Sequence, residues 1–280
     1  MSIDLYCVMG HPVAHSKSPW IHARFAELTG QQLRYESRLA ALDGFAASLR
    51  EFINDPSGNA RGCNVTVPFK FEAAALAESL TARAALARAA NTLSFGAGGI
   101  VADNTDGIGL VHDLQYNAGV DLRGRDLLLL GAGGAAAGVL GPLIEAQPAR
   151  IVVANRTADR AEALVARHHA LALLRNTELK AQDLLELEAD FDVIINATAS
   201  SLGGAAVPVP ARVLRPGALA CDLMYGPAAR GFLDWAREHG ASARDGLGML
   251  VEQAAESFFI WRGVRPPSAQ VLAELRALTA

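Results

Sequence analysis

The sequence predicts an α/β protein with two domains. Short apolar runs alternate with amphipathic stretches along the whole chain, which is the pattern of strands alternating with helices. With 280 residues, the chain is long enough for two domains of ordinary size. Its composition, 51% hydrophobic and 19% charged residues, is typical of a well-packed globular protein.

The first part of the chain combines strands and helices. Apolar or alternating runs predict strands, and apolar residues at helical spacing predict helices. The strands are expected at 5–9, 33–39 and 62–65, and the helices after Pro19, Leu42 and Pro68. Residues 91–104, NTLSFGAGGIVADN, predict two strands joined by a glycine-rich turn. A helix over about 107–117 leads to the polar segment GVDLRGRD, which is typical of a domain boundary.

The second part alternates regularly between strand and helix. Buried strands of a parallel sheet are expected at LLLL (127–130), RIVVAN (150–155) and FDVIINAT (191–198). The segment that begins at Gly131 and the segment DRAEALVARHH predict crossover helices between them. Three such strands form one nucleotide-binding half of a doubly wound fold. Two further helices are predicted in LGMLVEQAAESFFIWRG and SAQVLAELRALT.

Composition and charge exclude several function classes. A net charge of −4 and an isoelectric point near 6.0 argue against a nucleic-acid partner. No apolar run is long enough to cross a bilayer, and MSIDLYC at the N-terminus does not resemble a signal peptide. Cys7, Cys63 and Cys221 predict buried, reduced thiols in a cytoplasmic protein. The histidine spacing predicts no metal site, and His168 and His169 are expected at the surface.

The turn after the strand at 127–130 has the form of a dinucleotide-binding loop. Gly131-Ala132-Gly133-Gly134-Ala135-Ala136 fits the pattern G-x-G-x-x-A. Its small residues allow a tight turn, a close approach of the backbone to pyrophosphate, and close packing of helix on strand. The pattern alone is common, but its position between a strand and a helix favours a cofactor site.

The end of the next predicted strand favours NADP over NAD. NAD-specific sites usually carry an acidic residue there for the ribose 2′-hydroxyl. This chain has Asn155, Arg156 and Thr157, followed by Arg160. A guanidinium group can bind a phosphate through two hydrogen bonds and can stack on adenine. The alternative is that both arginines are ordinary surface charges of a helix, but their spacing from the glycine loop favours a phosphate site.

The stretch from His15 to Pro19, HSKSP, precedes a predicted helix. Ser18 suits the N-cap of this helix, and Pro19 suits the first helical position. Capping does not require the second hydroxyl, on Ser16. Backbone N–H groups at a helix start can bind an anion together with such hydroxyls. The stretch alone therefore leaves two interpretations, a helix start and an anion site.

Polar residues after the third predicted strand are candidates for chemistry, because an open α/β sheet presents its site at the carboxyl ends of its strands. Asn64 and Thr66 lie at this strand end, and Lys70 falls in the first turn of the next helix, where the helix dipole is unfavourable for a cation. Lys70 is therefore either a solvated surface residue or a functional group. Taken alone, Asn91 and Asp106 are typical turn or cap residues.

The ordered set of motifs resembles the shikimate dehydrogenase family. Its members are NADP-dependent enzymes that reduce 3-dehydroshikimate to shikimate in the shikimate pathway of aromatic amino-acid biosynthesis. The matching segments are GHPVAHSKSP, NVTVPFK, AANTL, DNTDGIGL, GAGGAAAG, NRTADR, INATASS and DGLGMLVEQAA, and they extend over essentially the whole chain. The resemblance is weaker in three loops, at His11, at Arg230-Gly231 and at Ser201.

The resemblance implies a role for each matching residue. Ser16 and Ser18 would bind the substrate carboxylate, and Lys70 and Asp106 would be the catalytic pair. The residues implied to contact the ring hydroxyls are Asn64, Thr66, Asn91, Tyr225 and Gln253. The residues implied to bind NADP are Gly131, Gly133, Gly134 and Ala135 at the pyrophosphate, Asn155, Arg156, Thr157 and Arg160 at the adenosine phosphate, and Thr198, Met224 and Gly246 along the nicotinamide.

The resemblance also implies the domains and the mechanism. Residues 1–104 and 247–280 would form a substrate-binding domain, and residues 105–246 a Rossmann-type, doubly wound NADP-binding domain. NADPH would supply a hydride to the ketone carbon, and Lys70 with Asp106 would supply the proton. A coupled pair titrates as a unit, so the formal donor stays open. The expected partner is a small-molecule substrate, and both a monomer and a homodimer stay open.

Two alternative functions are considered. One is a broader quinate/shikimate dehydrogenase that also accepts NAD, against which the basic segment NRTADR argues. The other is a dinucleotide-binding module without turnover. The presence of both Lys70 and Asp106 argues against such a module, because binding alone needs no proton donor.

Overall fold

The structure is a computed structural model, and it describes residues 3–56, 58–187, 190–198 and 209–279. The chain divides into two compact units. Unit 1 comprises Met1–Leu110 and Leu250–Ala280, and unit 2 comprises Val111–Met249. Ser201, one of the positions at which the family resemblance is weaker, lies outside the described residues.

The described residues form alternating strands and helices. The strands are β1 (Asp4–Gly10), β2 (Leu33–Leu39), β3 (Ala60–Val65), β4 (Ser79–Leu80), β5 (Thr92–Gly96), β6 (Gly99–Asp103), β7 (Asp126–Leu130), β8 (Arg150–Asn155), β9 (Glu178–Asp183), β10 (Phe191–Asn196), β11 (Leu214–Asp222) and β12 (Ser242–Arg244). The helices are α1 (Ser18–Thr29), α2 (Phe45–Ile53), α3 (Lys70–Leu76), α4 (Ala82–Ala87), α5 (Asp106–His112), α6 (Gly134–Glu145), α7 (Ala158–Leu174), α8 (Arg230–Glu238), α9 (Leu247–Arg262) and α10 (Ser268–Thr279). A π-helical segment, Asp113–Asn117, continues α5.

Unit 1 is built on a mixed sheet with the strand order β2-β1-β3-β5-β6-β4 in its described part. β1 pairs in parallel with β2 and β3, whereas β5 pairs antiparallel with β3 and β6. The central strands are buried, and Cys7 and Cys63 lie opposite each other in the core as free thiols. Because β1 and β3 run in parallel, the loops that follow Gly10 and Val65 leave the same edge of the sheet.

Unit 2 is built on a parallel sheet with the order β12-β11-β10-β7-β8-β9. This order is that of a doubly wound dinucleotide-binding fold, in which two halves meet at the first strand of each half. Leu127 to Leu130 of β7 are all fully buried, as expected for a central parallel strand. The predicted α/β class and the doubly wound sheet are confirmed.

The sequence pattern missed one strand of the first nucleotide-binding half. The third strand of that half is β9, whereas FDVIINAT forms β10, which pairs with β7 and begins the second half. β9 is an edge strand with the polar sequence ELKAQD, so it lacks the apolar run that identifies a buried strand. The sequence pattern also did not predict β4, α4, β11, α8 and β12.

His168 is fully buried, so its predicted surface position is wrong. α7 continues beyond the predicted segment, and His168 shares a buried stripe with Ala161, Leu164 and Ala172 at helical spacing. Its Nδ1 lies 2.9 Å from the Leu164 carbonyl oxygen. Burial lowers the pKa of His168 to about 4, so it packs as a neutral ring.

The chain passes between the two units inside helices. The divisions fall within α5 and within α9, near the predicted boundaries at 104/105 and 246/247. The segment GVDLRGRD, also predicted as a boundary, lies inside unit 2 and leads directly into β7 of the parallel sheet. None of the helices in the described part of the chain is long and apolar enough to span a bilayer.

Candidate active site

Lys70 and Asp106 form an ion pair in unit 1. Lys70 is the first residue of α3 and Asp106 the first residue of α5, and Lys70 Nζ lies 2.5 Å from Asp106 Oδ2. Their side chains are only 12% and 5% exposed. Pro68 was predicted at the first helical position but lies in the turn before α3, after a cis peptide bond with Val67. Lys70 still falls in the first turn of its helix, as predicted.

Asn91 holds the Asp106 carboxylate from the other side. Its Nδ2 donates to Asp106 Oδ1 over 2.9 Å and to Gln253 Oε1 over 3.0 Å. Its Oδ1 accepts the Thr105 backbone N–H over 2.8 Å. These partners fix the orientation of the amide, because a carboxylate only accepts hydrogen bonds and a backbone N–H only donates them. Asn91 is therefore part of the candidate site and more than a turn residue.

Glycine at position 109 permits close packing of α5 and α9. A Cβ atom added to Gly109 would lie 2.5 Å from the Gln253 backbone nitrogen and 2.7 Å from its Cβ. Any other residue would therefore push α9 away from α5. This close approach brings Gln253 within hydrogen-bond distance of Asn91.

Asn64 is the penultimate residue of β3 and Thr66 follows the strand directly, so both lie at the strand end, as predicted. Asn64 Oδ1 accepts the Tyr35 hydroxyl over 2.7 Å, and its Nδ2 donates to the Asn91 carbonyl oxygen over 3.0 Å. Burial raises the pKa of Tyr35 well above its usual value, so this side chain stays a neutral donor. Thr66 is held beside β1, where its N–H donates to the Met9 carbonyl oxygen.

The start of α1 differs from the prediction. α1 begins at Ser18, so the N-cap is Lys17, which makes no side-chain capping bond, and Pro19 occupies the second helical position. The Ser16 hydroxyl instead accepts the Ser18 N–H over 3.3 Å. A serine hydroxyl often accepts the N–H two residues on, and this local turn displaces the cap from Ser18. Ser18 is buried and Ser16 is half-buried.

Asp103 anchors the loop that carries Asp106, and the sequence analysis did not identify it. Its carboxylate accepts two hydrogen bonds from Arg83, of 2.6 and 2.8 Å, and one of 2.6 Å from the Thr81 hydroxyl. Burial disfavours the charged form, but these hydrogen bonds outweigh burial and lower the pKa of Asp103. Asn104 accepts the Asp106 N–H over 3.1 Å, so Asn104, not Asp106, provides the side-chain oxygen at the start of α5.

The glycine loop of unit 2 fits a dinucleotide. Gly131 follows β7 with φ of 105°, a conformation that favours glycine, and an added Cβ would lie 3.2 Å from Ala197. A Cβ added to Gly133 would meet no described atom within 4 Å, so the protein itself does not require a glycine there. Gly133 precedes α6 without a side-chain cap, which leaves the first N–H groups of this 12-residue helix for an anion such as pyrophosphate. Gly134 and Ala135 belong to that first turn.

The end of β8 presents two exposed arginines. Arg156 and Arg160 are exposed, and neither forms an ion pair with a carboxylate in the described part of the chain. Asn155 Nδ2 donates to the Thr157 carbonyl oxygen over 2.9 Å, which shapes the turn before α7. The arrangement offers cationic groups near the start of a helix, as a 2′-phosphate requires.

Two buried polar residues hold the predicted nicotinamide-side residues of unit 2, and the sequence analysis missed both. Asn196 Oδ1 accepts the Thr198 hydroxyl over 2.7 Å, and Asn196 Nδ2 donates to Asp222 Oδ2 over 2.9 Å. Asp222 Oδ1 accepts the Met224 N–H over 2.8 Å. The Gly246 N–H in turn donates to the Met224 carbonyl oxygen. The signal available in the sequence was a polar residue at the end of a largely apolar segment, which is Asn196 in β10 and Asp222 in β11.

Comparison with known proteins agrees with this geometry. Residues 8–93 match the family profile described as shikimate dehydrogenase substrate binding domain, residues 114–203 that of shikimate/quinate 5-dehydrogenase, and residues 246–276 that of the shikimate 5′-dehydrogenase C-terminal domain. A shikimate dehydrogenase (NADP(+)) of Acidovorax sp. (strain JS42) is 68% identical over 277 residues, which cover 99% of this chain and 97% of the relative. The chain belongs to the shikimate dehydrogenase family. The predicted family is therefore confirmed.

Solved structures agree with the family assignment. Shikimate 5-dehydrogenase from Thermus thermophilus, in complex with NADP(H) and shikimate, has a TM-score of 0.84 and 32% identity, covering 98% of this chain and 99% of that one. An Ael1 enzyme from Pseudomonas putida has a TM-score of 0.87 and 46% identity, covering 97% of this chain and 98% of that one. The fold is that of the shikimate dehydrogenases, an α/β substrate-binding domain with a Rossmann-type NADP-binding domain.

Tyr225 belongs to a different unit from the other predicted substrate residues. It is half-buried in unit 2, directly after Met224, whereas Ser16, Ser18 and the amides of the candidate site belong to unit 1. Unit 1 thus brings together the predicted catalytic pair with Asn64, Asn91 and Gln253, and unit 2 contains all the predicted cofactor residues.

Proposed function

We propose that the chain catalyses the reversible NADPH-dependent reduction of 3-dehydroshikimate to shikimate, with Lys70 and Asp106 as the catalytic pair. The observation that carries the proposal is the 2.5 Å ion pair, fixed by the Asn91 amide in unit 1 of a shikimate dehydrogenase fold. A cation whose carboxylate partner is held by a buried amide is suited to transfer a proton at a fixed position.

The pair supplies the proton of the reaction. When bound, NADPH would supply a hydride to the ketone carbon, which would leave negative charge on the ketone oxygen. The Lys70–Asp106 pair would supply the proton that this oxygen takes up, with Asp106 Oδ2 orienting the Lys70 ammonium group and stabilising its charge. In the oxidation direction the same pair takes the proton from the hydroxyl of shikimate, as microscopic reversibility requires.

Neutral groups of unit 1 would hold the substrate. Ser16 and Ser18, at the start of the 12-residue helix α1, offer hydroxyl groups and a helix N-terminus to the carboxylate. These groups orient an anion without a cationic side chain. The residues proposed to contact the ring hydroxyls are Asn64, Thr66, Asn91, Gln253 and Tyr225.

Unit 2 would hold NADP. Gly131, Gly133, Gly134 and Ala135 are proposed to bind the pyrophosphate, and Thr198, Met224 and Gly246 to lie along the nicotinamide. Arg156 and Arg160, with Asn155 and Thr157, are proposed to bind the 2′-phosphate. We assign residues 1–104 and 247–280 to substrate binding and 105–246 to NADP binding. The three buried free thiols favour a reducing, cytoplasmic compartment.

The purified protein tests the proposal. We expect turnover of 3-dehydroshikimate with NADPH, and a kcat/KM with NADH that is roughly tenfold to a hundredfold lower, because NADH lacks the phosphate that the arginines would bind. Arg156→Ala should remove most of this preference without changing kcat/KM with NADH. Absence of turnover would refute the function, and equal kcat/KM values with both cofactors would refute the phosphate site. Oxidation of quinate with NADP+, compared with oxidation of shikimate, measures how broad the specificity is.

A further inference from the structure

Two buried hydroxyl groups contact the amide side chains of the proposed substrate site. Thr92, the first residue of β5, and Ser257, on α9, are both completely buried, and their hydroxyl oxygens are 2.8 Å apart. Neither belongs to the set of residues proposed to contact substrate or NADP. Buried hydroxyl groups in direct contact are suited to orient their neighbours, because water does not compete for their hydrogen bonds.

The hydroxyl pair connects the two substrate amides. Asn64 Nδ2 donates to Thr92 Oγ1 over 3.2 Å and to Ser257 Oγ over 3.1 Å. Thr92 Oγ1 donates to Asn91 Oδ1 over 2.9 Å. Asn91 in turn contacts Asp106, so a continuous hydrogen-bonded network runs from Asn64 to the proposed catalytic pair.

The donor and acceptor pattern explains how the pair acts. The single proton of Ser257 can reach the Gln253 carbonyl oxygen over 3.0 Å, and a carbonyl oxygen can only accept. Ser257 then accepts the hydrogen bond from Asn64 Nδ2. The Asn64 amino group thus faces acceptors on the Asn91 carbonyl, on Thr92 and on Ser257, while its Oδ1 accepts the Tyr35 hydroxyl. In this orientation, Asn64 Oδ1 is the atom that can accept a further hydrogen bond, because an amide oxygen has two lone pairs.

We propose that Thr92 and Ser257 are positioning residues, whose hydroxyl groups hold Asn64 and Asn91 as one rigid unit so that both amides meet the ring hydroxyls of shikimate. The inference rests on the proposed function, since it assigns an effect on shikimate binding. Neither hydroxyl touches the reacting atoms. Their removal therefore affects how well the substrate is held, while the proton transfer of Lys70 and Asp106 continues.

Paired substitutions at position 92 separate the hydroxyl from the packing of the side chain. Thr92→Val keeps the shape but removes the hydroxyl, and we expect the KM for shikimate to rise about tenfold, with kcat changed less than about threefold and the KM for NADP unchanged. Thr92→Ser keeps the hydroxyl but removes a buried methyl group. It should keep the KM within about twofold of the wild type and lower Tm by about 2–4 °C.

Two further variants make the test specific. Ser257→Ala should raise the KM for shikimate like Thr92→Val, and the double variant should be little worse than the worse single one, because both hydroxyls act on the same amides. Thr177→Val removes a hydroxyl that is also buried and donates to the Pro148 carbonyl oxygen in unit 2, and it should leave the KM for shikimate unchanged.

The outcomes distinguish the inference from the proposed function. A wild-type protein that does not turn over shikimate overturns the function itself. A wild-type enzyme that is active, but whose Thr92→Val and Ser257→Ala variants keep the wild-type KM, overturns the positioning role alone. Thr92→Ser raising the KM as much as Thr92→Val would show that packing, and not the hydroxyl, is responsible. If Thr92→Val does not fold, Ser257→Ala and the affinity for shikimate by calorimetry decide in the same way.

Discussion

The Lys70–Asp106 pair combines a proposed chemical role with a structural one. Breaking a buried ion pair by removing one partner costs about 3–5 kcal/mol, because the other charge stays buried. The two side chains are only 12% and 5% exposed, so the pair is close to fully buried and this range of costs applies to it. Asn91 offsets part of the cost when Lys70 is removed, since its amide still donates to Asp106. Losses of activity in variants of the pair must therefore be separated from losses of stability.

We expect Lys70→Ala to lower kcat by about 10²–10⁴, the usual contribution of a positioned acid–base group. Asp106→Asn should also lower kcat strongly, and the double variant should be little worse than the worse single one, because the two residues act as one unit. Steady-state kinetics with NADPH and 3-dehydroshikimate measure these effects. Losses that multiply in the double variant would show two independent contributions.

Arg244→Met provides a matched control for stability. Arg244 pairs over 2.5 Å with the fully buried Asp113, and both residues belong to unit 2, whereas Lys70 and Asp106 belong to unit 1. Its replacement should lower Tm at least as much as Lys70→Ala and leave kcat within about threefold of the wild type. A comparable fall in kcat in this control would attribute the Lys70 effect to lost stability.

His22 predicts an acid-sensitive stability. It is completely buried, its ring stacks on Tyr35 at 4.1 Å between centroids, and burial lowers its pKa to about 3, while nearby Asn64 opposes the shift only in part. An unfolded histidine titrates near 6.5, so between these values the unfolded state binds more protons than the folded state. The free energy of unfolding therefore falls as pH drops from about 6.5 towards 3.

We expect His22→Phe to flatten this dependence by up to about 1.4 kcal/mol per pH unit in the same window, because phenylalanine keeps the ring stack but takes up no proton. Urea unfolding of both proteins at several pH values between about 4 and 6.5 measures the slopes. His168, with a pKa of about 4, contributes a similar slope in unit 2, so some dependence must remain in the variant. Identical slopes in both proteins would show that His22 already takes up a proton in the folded state.

At the level of single residues, the family resemblance implied that Lys70 and Asp106 form a pair, but nothing in the sequence pointed to the residues that support it. Lys70 and Asp106 lie at helix starts, which leave local signals in the sequence. Asp103 and Ser257 act through partners that are distant in sequence, Arg83 and Asn64, and no spacing rule connects such residues. Their roles become visible only when the fold brings the segments together.

At the level of elements, strands with an apolar run or a clear alternation were predicted, including the edge strand β2, whereas β4, β9 and the internal strand β11 were not. β7, β8 and β10 consist largely of apolar residues, because both faces of a parallel sheet are covered. β9 and the two-residue β4 lie at sheet edges, where polar residues and short lengths are tolerated. The start of α1 was misplaced for a different reason, since the turn made by the Ser16 hydroxyl competes with capping by Ser18.

The start of α1 makes the two serines experimentally separable. We expect Ser16→Ala and Ser18→Ala each to raise the KM for shikimate roughly tenfold to a hundredfold, because each would lose a hydrogen bond to a carboxylate. Ser16→Ala should also lower stability by about 0.5–2 kcal/mol, since its hydroxyl is the one that accepts a backbone N–H at this helix start. Kinetics and thermal unfolding measure both effects.

Ser48→Ala is the control for these variants. It removes a hydroxyl from α2 that donates to the Gly44 carbonyl oxygen, and it should leave the KM for shikimate unchanged. A Ser16→Ala protein with lower stability but a normal KM would reduce the HSKSP stretch to a helix start without a role in binding.

At the level of the whole chain, the proposed binding tasks are divided between the two units. The proposed carboxylate and ring-hydroxyl ligands lie in unit 1 except for Tyr225, and the proposed NADP ligands lie in unit 2. The chain passes between the units inside α5 and α9, where the sequence pattern is continuous, so the exact divisions could not be predicted from composition. A ligand that binds only the folded form of one unit stabilises that unit by mass action.

This division predicts where each ligand slows backbone hydrogen exchange. NADP alone, at about 100 times its Kd, should stabilise unit 2 by about 2.7 kcal/mol and slow exchange roughly a hundredfold in the segments after β7 and β8, around Gly133 and Arg156. Shikimate alone should slow exchange in unit 1, around Ser18 and Asn64. NAD at the same concentration as NADP should protect unit 2 less, because it lacks the 2′-phosphate. Mass spectrometry of exchanged peptides measures each pattern, and protection by NADP that appears around Asn64 while unit 2 is unchanged would reverse the assignment of the two domains.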